Sequence, residues 1–514
     1  MTRKIVTLFF CFVIALGSCT KLDEKYNDSL PDLATSGGTP NITALLQGVY
    51  NSMQTTFQDQ ANVFALEEMT TDGMIGPTRG PDWDDNGAWR VLHAHKWDGE
   101  NVHIRDVFNQ LLGTSFAATD LLRFDSTSGE AAQARFLRAF AEYMVLDGYD
   151  QVPYRDPGES TLEPARVRKG TDELTYIISE INKALPSLPN GPAGVANKDA
   201  AKVLLMKCYL NKGVYANRAA PTFDAADMQQ VISLADEIIA SPRGYAFAAN
   251  YFDNFAPTNT DIGKENIWVQ KNDAGVSGSF GSTVRSRWHT VMHYNQNPGG
   301  WNGFTTLSDF YDKFEASDIR RGTAYPTPGA SNPGHRVNVG FYIGQQYNWA
   351  TDEALKDRAG APLAFTREVS SIEVGDNLEV TGIRPNKFPI DYPNDNSGNI
   401  DNDYPFFRLT DVLLMKAEAL LRTSNATGAL AIVNAIRANR GATNLGSVTL
   451  DNLLDERGRE LYLESWRRQD MIRFGKFLAP FQEKDYESDP KYLLFAIPNQ
   501  QLAVNPNLVP NPGY

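Results

Sequence analysis

Between Thr410 and Asn439, the residues Ala417, Leu420, Ala429, Val433 and Ile436 fall at offsets 0, 3, 12, 16 and 19. These are the small and large packing positions of a tetratricopeptide helical hairpin: small residues let two helices approach, and large ones fill the groove between them. Such a hairpin cannot bury its apolar face alone and needs stacked neighbours. Lys198 to Tyr215 followed by Ala225 to Ala240 has the same layout with a longer turn. Further amphipathic runs are Val102 to Phe124, Ala131 to Leu146 and Thr171 to Leu185. Another begins near Asn41-Ile42-Thr43, with Leu45, Leu46, Val49, Tyr50 and Met53 at three-to-four spacing. Leu450 to Phe477 reads as one last long helix. Within it Asp455 and Arg459, Glu464 and Arg468, and Asp470 and Arg473 are spaced to meet on one face, as are Arg138 and Glu142 earlier. The expected fold class is mostly α, a scaffold of repeated helical hairpins.

From about Tyr245 to Phe407 the helical period fades. Gly, Pro, Asn and aromatics dominate, with short strand-like pieces such as Glu265-Asn266-Ile267-Trp268-Val269. So long an irregular stretch inside a compact chain is commonly functional. The organisation read from this is an N-terminal helical part over 41–242, an irregular ligand-binding segment over 243–408, and a C-terminal helical part over 409–514 closing the same body.

Ahead of these lies a different kind of sequence. Arg3 and Lys4 precede an apolar run from Ile5 to Leu16, followed by Gly17-Ser18-Cys19. A positive start, about a dozen apolar residues and small residues before a Cys read as a signal peptide over 1–18, too short for a permanent span needing about 20 residues. The small residues before Cys19 resemble a bacterial lipobox, which implies lipidation of Cys19. Residues 19–40 then form a polar, flexible tether. With Cys11 removed and Cys19 acylated, only Cys208 remains, so no internal disulfide forms and stability rests on packing.

The chain carries 48 basic and 62 acidic residues; loss of Arg3 and Lys4 with the signal leaves a net charge of −16. No basic face is available for phosphates, which excludes nucleic acid as a partner.

Tryptophans give the best clue to a ligand. Trp83 and Trp89 lie in the turn-rich stretch Arg79-Gly80-Pro81-Asp82-Trp83-Asp84-Asp85-Asn86-Gly87-Ala88-Trp89, whose acidity opposes burial. Trp288, Tyr294, Trp301 and Trp349 recur in the irregular segment near Asn and Gln. An indole or phenol stacks on the apolar face of a sugar ring, while carboxylates, amides and guanidinium meet its hydroxyls. The expected ligand-binding set is therefore Arg79, Trp83, Asp84, Asn86, Trp89, Trp288, Tyr294, Trp301 and Trp349, whereas Trp97 and Trp466, beside and inside helical runs, read as core. His93, His95 and His103 lack a further convergent ligand for a metal. Asp391, Asp395, Asp401 and Asp403, with Asn394, Asn396 and Asn399, offer oxygens for calcium but miss the EF-hand spacing at Gly398, and read as a solvated loop. Glu456, Glu460 and Glu464 form one helical stripe, which cannot surround a sugar as an opposed catalytic pair must. No catalytic residue and no cofactor is expected, calcium being the one candidate.

Several motifs, in this order, carry a resemblance. They are Ala134-Arg135-Phe136-Leu137-Arg138-Ala139-Phe140, Gln151-Val152-Pro153-Tyr154, Ala201 to Leu210, Phe407 to Ala419 and Val433-Asn434-Ala435-Ile436-Arg437. Asp455 to Leu461, Arg467 to Lys476, Ile497-Pro498, Asn505-Pro506 and Asn511-Pro512-Gly513-Tyr514 complete the set. With the lipobox they span nearly the whole chain, and together they resemble the SusD-like (RagB) family of Bacteroidetes outer-membrane nutrient-binding lipoproteins. The family's usual Tyr-Gly-Asp-Val-Pro-Tyr reads Tyr149-Asp150-Gln151-Val152-Pro153-Tyr154 here. The resemblance implies about four tetratricopeptide-like hairpins, a variable ligand face, and no catalysis. It also implies an outer-membrane, cell-surface location and a SusC-like TonB-dependent transporter as partner, to which a captured glycan is delivered. The alternative expectation is a binder of peptides or another nutrient in the same role.

Overall fold

A computed structural model describes residues 40–80, 82–276, 280–327, 336–396 and 399–514. The signal peptide, Cys19 and all but the last residue of the tether lie outside the described residues.

The fold is mostly α. Eight long helices are α1 (Ile42–Gln58), α2 (Val102–Leu121), α3 (Ser128–Tyr149), α4 (Gly170–Ala184), α5 (Lys198–Ala216), α6 (Ala225–Ile239), α7 (Leu409–Arg422) and α8 (Ala426–Asn439). Each packs on the next, so the array reads as four consecutive hairpins, α1/α2, α3/α4, α5/α6 and α7/α8. The last of these follows α6 in space although about 170 residues separate them in sequence. Local chemistry fixes where the helices begin. Asn101 accepts from His103 N and Ile104 N, and Thr127 and Glu130 form a reciprocal capping box. Asn197, Asp224 and Asn425 cap α5, α6 and α8 through their side chains. Ala417, Ala429, Val433 and Ile436 are all buried between α7 and α8, and Cys208 is buried in α5. In the Tyr149–Tyr154 element Asp150 stands in the left-handed region at φ 64°, so the turn survives without glycine, steadied by a 2.7 Å ion pair to Arg218.

The long run Leu450 to Phe477 is not one helix. It divides into α9 (Leu450–Leu461) and α10 (Arg467–Arg473), with Leu463 and Ser465 at φ 60° and 64° between them. The break changes the pairing expected from one helical face. Asp470 and Arg473 do meet at 2.6 Å, but Asp455 pairs with Lys313, Arg459 with Glu456, and Glu464 with Arg408 and Lys387. Arg138 likewise reaches across to Glu180 on α4 while Glu142 accepts from Ser115.

Apart from Asp455 and Lys313, these charges are buried. Arg408 spans Glu265, Glu460 and Glu464 at 2.7–3.0 Å, Arg440 bridges Glu265 and Glu460, and Arg320 joins Asp318, Glu456 and Glu460. Burial alone raises the Glu460 carboxyl, yet Arg440, Arg408 and Arg320 hold it well below the usual carboxylate range. The network fastens the irregular segment to the end of the helical array. Beside it, strands β1 (Asn266–Gln270) and β2 (Tyr404–Arg408) pair antiparallel, and Trp268 stacks on Phe406 at 4.2 Å and edges against Phe140 of α3 at 4.9 Å.

Candidate ligand cleft

Two short pairings carry the Trp83 loop to the irregular segment. Thr78–Arg79 runs parallel to Ile372–Glu373, and Ile75 bridges Thr305. Arg79 locks this junction: it donates to Glu373 and to the Leu378 carbonyl, both at 2.7 Å, and to the Thr381 carbonyl at 3.0 Å. Arg384, wholly buried beside it, donates to the carbonyls of Gly303, Glu379 and Thr381. Burial pushes Arg79 down to about 10 despite Glu373. One edge of Arg79 lines the cleft, but most of its hydrogen-bonding capacity is committed to the backbone that shapes it.

The loop itself is strained. Trp83, Asp85 and Asn86, none of them glycine, have φ of 61°, 41° and 55°. Such clusters persist only where surrounding contacts over-determine them, and they concentrate at functional sites. Here the contacts are the Trp83 indole N–H to the Trp301 carbonyl at 3.0 Å, Trp89 Nε1 to Asp85 at 2.5 Å, and an Arg90–Asp84 ion pair. Trp83 is half-buried, its ring against Gly303 and Phe304.

Tyr294, half-buried, lines a cavity of about 320 Å³ with Arg79, Asp82, Asn302, Asp357 and Arg358, closed on one side by Gly375–Glu379. The Arg358 guanidinium lies 4.1 Å above the Tyr294 ring and is ion-paired to Glu379, which His293 Nε2 meets at 2.9 Å. Burial acts to raise Glu379, but the Arg358 backbone N–H, His293 and the Arg358 side chain keep it below its ordinary value. Burial draws His293 down, against the pull of Glu379. Asn302 is nearly inaccessible, sits at φ 57°, and its Oδ1 has no hydrogen-bond partner among the described residues. A buried amide oxygen left unsatisfied at a cavity wall is costly unless a ligand or water completes it.

The expected residues therefore separate. Arg79 and Tyr294 share the cavity, and Trp83 and Trp301 adjoin it through their chain neighbours Asp82 and Asn302. Asp84 and Asn86 stand on the loop, Asp84 engaged by Arg90 and Asn86 exposed. The other three tryptophans turn inward. Trp89 is 4% exposed because the short helix Ala88–His93 carries it onto His103 at 4.0 Å. Trp288 is fully buried on the helix Arg285–Val291, its N–H donating to Asp395 at 2.9 Å. Trp349, 6% exposed, packs on Tyr342 and lines a different cavity. Burial of Trp89 overrides the acidity of its loop, since Asp85 supplies the acceptor its indole N–H needs. Asp82, His293, Asn302, Asp357, Arg358 and Glu379 were not singled out by sequence; they converge from separated segments and carry no local pattern.

The histidine trio is structural. His93 bonds the Met74 and Gln482 carbonyls, and His95 bonds Thr70 O and Ser488 Oγ; burial lowers His93 and His103 to about 4 and His95 to about 3. Among the described residues no three His, Cys, Asp or Glu converge as a metal site, and no helix is long and apolar enough to cross a membrane. In the acidic run, Asp391 accepts from Asp401 N and Asn394, Asp401 from Ala274 N, and Asp403 from Asn272 N.

A stacked-hairpin scaffold presenting a polar, aromatic cleft on irregular loops defines a helical-repeat body. Residues 264–514 match the family model described as the SusD family. The chain is 24% identical to the starch-binding protein SusD of Bacteroides thetaiotaomicron, covering 93% of this chain and 88% of that one. It is 23% identical to SusD-like protein P2 of Formosa agariphila over the whole of both. Among solved structures, a laminarin-binding SusD-like protein superposes with a TM-score of 0.69 at 19% identity, covering 92% of this chain and 99% of that one. Surface glycan-binding protein A of Bacteroides uniformis gives 0.68 at 18% identity, covering 91% and 98%. The chain belongs to the SusD family.

Proposed function

We propose that this protein is a cell-surface lipoprotein that captures an oligo- or polysaccharide without altering it and delivers it to a SusC-like TonB-dependent transporter in the outer membrane. The observation that carries this is the cleft at Tyr294. The phenol ring of Tyr294 lines it and offers a stacking surface, and the half-buried indoles of Trp83 and Trp301 adjoin the lining residues Asp82 and Asn302 in the chain. Asp82, Asp357, Arg358 and the unsatisfied Asn302 Oδ1 offer planar hydrogen-bonding groups. That combination suits a sugar, apolar on its ring faces and polar around its edge. Starch and laminarin binding by family relatives agree with it. Anchoring through Cys19 rests on the lipobox resemblance, and delivery to a transporter on the family resemblance.

Binding without cleavage fits the electrostatics. A glycosidase needs one carboxyl held protonated as general acid. At the cleft Glu379 is drawn below its ordinary value, against the effect of burial, by the Arg358 backbone N–H, His293 and the Arg358 side chain, and Glu456 and Glu460 are sealed inside the arginine network.

Affinity electrophoresis through gels containing individual polysaccharides tests the reading. One polysaccharide is expected to retard the wild type, with retardation lost in Tyr294→Ala and Trp301→Ala; equal retardation of all three proteins removes this cleft as the site. Calorimetry with oligopeptides against oligosaccharides separates the glycan reading from a peptide-binding one.

A further inference from the structure

The irregular segment holds a second cavity, of about 350 Å³, whose lining includes Tyr311, Arg321, Arg336, Gln345, Tyr347 and Trp349. The pairing of Gly344–Gln345 with Ala364–Phe365 folds residues 343–365 so that one limb borders this cavity while Asp357 and Arg358 border the first. The two differ in charge. Four carboxylates, Asp82, Asp357, Asp376 and Glu379, face two arginines in the first. Among the described residues that line the second, two are arginines and none is acidic. In a chain of net charge −14 this is a local reversal.

Both guanidiniums are held against aromatic rings. Arg321 lies 4.5 Å from the Tyr311 ring and donates through Nε to its hydroxyl at 2.8 Å; it makes no ion pair among the described residues. Arg336 lies 3.5 Å above Tyr347, with Nε on Asp352, outside the lining, at 2.5 Å. A guanidinium tied down through Nε and packed on a ring has fewer rotamers to lose, and its fork of N–H groups matches the paired oxygens of carboxylate and sulfate. The amide of Gln345 and the indole of Trp349 add the polar and apolar surfaces a sugar ring needs.

We propose that this second cavity is a saccharide subsite for a sugar unit carrying an anionic group, carboxylate or sulfate, and that Arg321 is its recognition residue. The ligand class rests on the glycan-binding reading above, but the site is separate from the Tyr294 cleft. The test is calorimetry of the folded chain with trigalacturonate, a sulfated disaccharide, neutral maltotriose and inorganic sulfate. At least one anionic saccharide is expected to bind, with affinity falling about tenfold or more in Arg321→Gln and partly recovering in Arg321→Lys, because a point charge replaces the fork. Binding should weaken as salt rises from about 50 to 500 mM and be unchanged in Tyr294→Ala; whichever anion binds identifies the group. The proposal is overturned if neither anionic saccharide binds at millimolar concentration, if Arg321→Gln binds as wild type, if Tyr294→Ala abolishes the heat, or if inorganic sulfate binds as tightly as the saccharide. Loss of polysaccharide retardation in Tyr294→Ala together with a null anionic result leaves the first cleft standing and removes only the second.

Discussion

The buried junction between α9 and the irregular segment and the cleft at Tyr294 are both rich in charge, but they use it in opposite ways. At the junction every carboxylate is answered: Glu460 touches Arg320, Arg408 and Arg440, and Glu265 touches two of the same three. At the cleft the Asn302 amide oxygen has no partner among the described residues, and the backbones of Trp83, Asp85 and Asn86 are held where side chains are disfavoured. The difference teaches where each part of the free energy is spent. The ion network at the junction holds the fold together, whereas the accessible faces of Tyr294, Asp82 and Arg358 at the cleft are the capacity to bind.

Breaking the junction is expected to give the largest effect. Arg408→Met leaves Glu464 and Glu265 short of a buried partner, and removing one member of a buried ion network costs about 3–5 kcal/mol. Urea unfolding should show that loss, while Tyr294→Ala should change stability by less than about 1 kcal/mol, as cleft-lining substitutions outside the core do. Equal destabilisation by the two would erase the distinction drawn between the regions.

A second test uses protons. Glu68, buried where α10 begins, accepts the Ser465 N–H at 2.8 Å; burial lifts its carboxyl from 4.5 to about 7, opposed by that bond and by Lys387. Because the folded value is raised, the folded state binds the proton more tightly. Stability is full below the unfolded value near 4.5 and declines as pH rises towards 7. The network carboxylates have the opposite sign: Glu456 and Glu460 are held low by arginines against burial, so their contribution is present at neutral pH and lost in acid. Glu68→Gln keeps the acceptor and removes the charge. It should match wild type near pH 5 and exceed it near pH 8 by on the order of 1–3 kcal/mol. Parallel denaturation midpoints for the two proteins across that range would refute the assignment.

The scaffold was legible because its signal is periodic. Alternating small and large residues in α7 and α8 state which face is buried. Charge pairing was legible only where the partner is local: Asp470–Arg473 lies within one turn, whereas Glu464 finds Arg408 at a distance in sequence that no spacing rule spans. The single-helix reading of Leu450 to Phe477 failed since Leu463 and Ser465 take left-handed conformations without a glycine to announce them. Of the aromatic set, composition identified the residue type but not its direction. Trp89 and Trp288 each found a carboxylate for the indole N–H, which makes burial inexpensive, and no sequence pattern reports that partner in advance. Tyr294 keeps one side towards a cavity because Arg358, Glu379 and His293 converge there from two segments of the irregular stretch.

The smallest expected effect bears on whether strain alone marks function. Asp150 also has a positive φ, but it lies in the scaffold, at the end of α3, and its carboxylate is satisfied by Arg218. Asp150→Gly relieves a left-handed conformation worth about 1 kcal/mol and forfeits a partly exposed ion pair worth about 0–1 kcal/mol. The two nearly cancel, and thermal unfolding should place this variant close to wild type. Asp150→Ala loses the pair and keeps the strain, so it should fall below both by about 1 kcal/mol. Neither change should alter glycan retardation. If Asp150→Ala weakened binding while stability held, this positive-φ residue of the scaffold would have to be counted with the ligand face, and the boundary between frame and cleft would move to include the turn at α3.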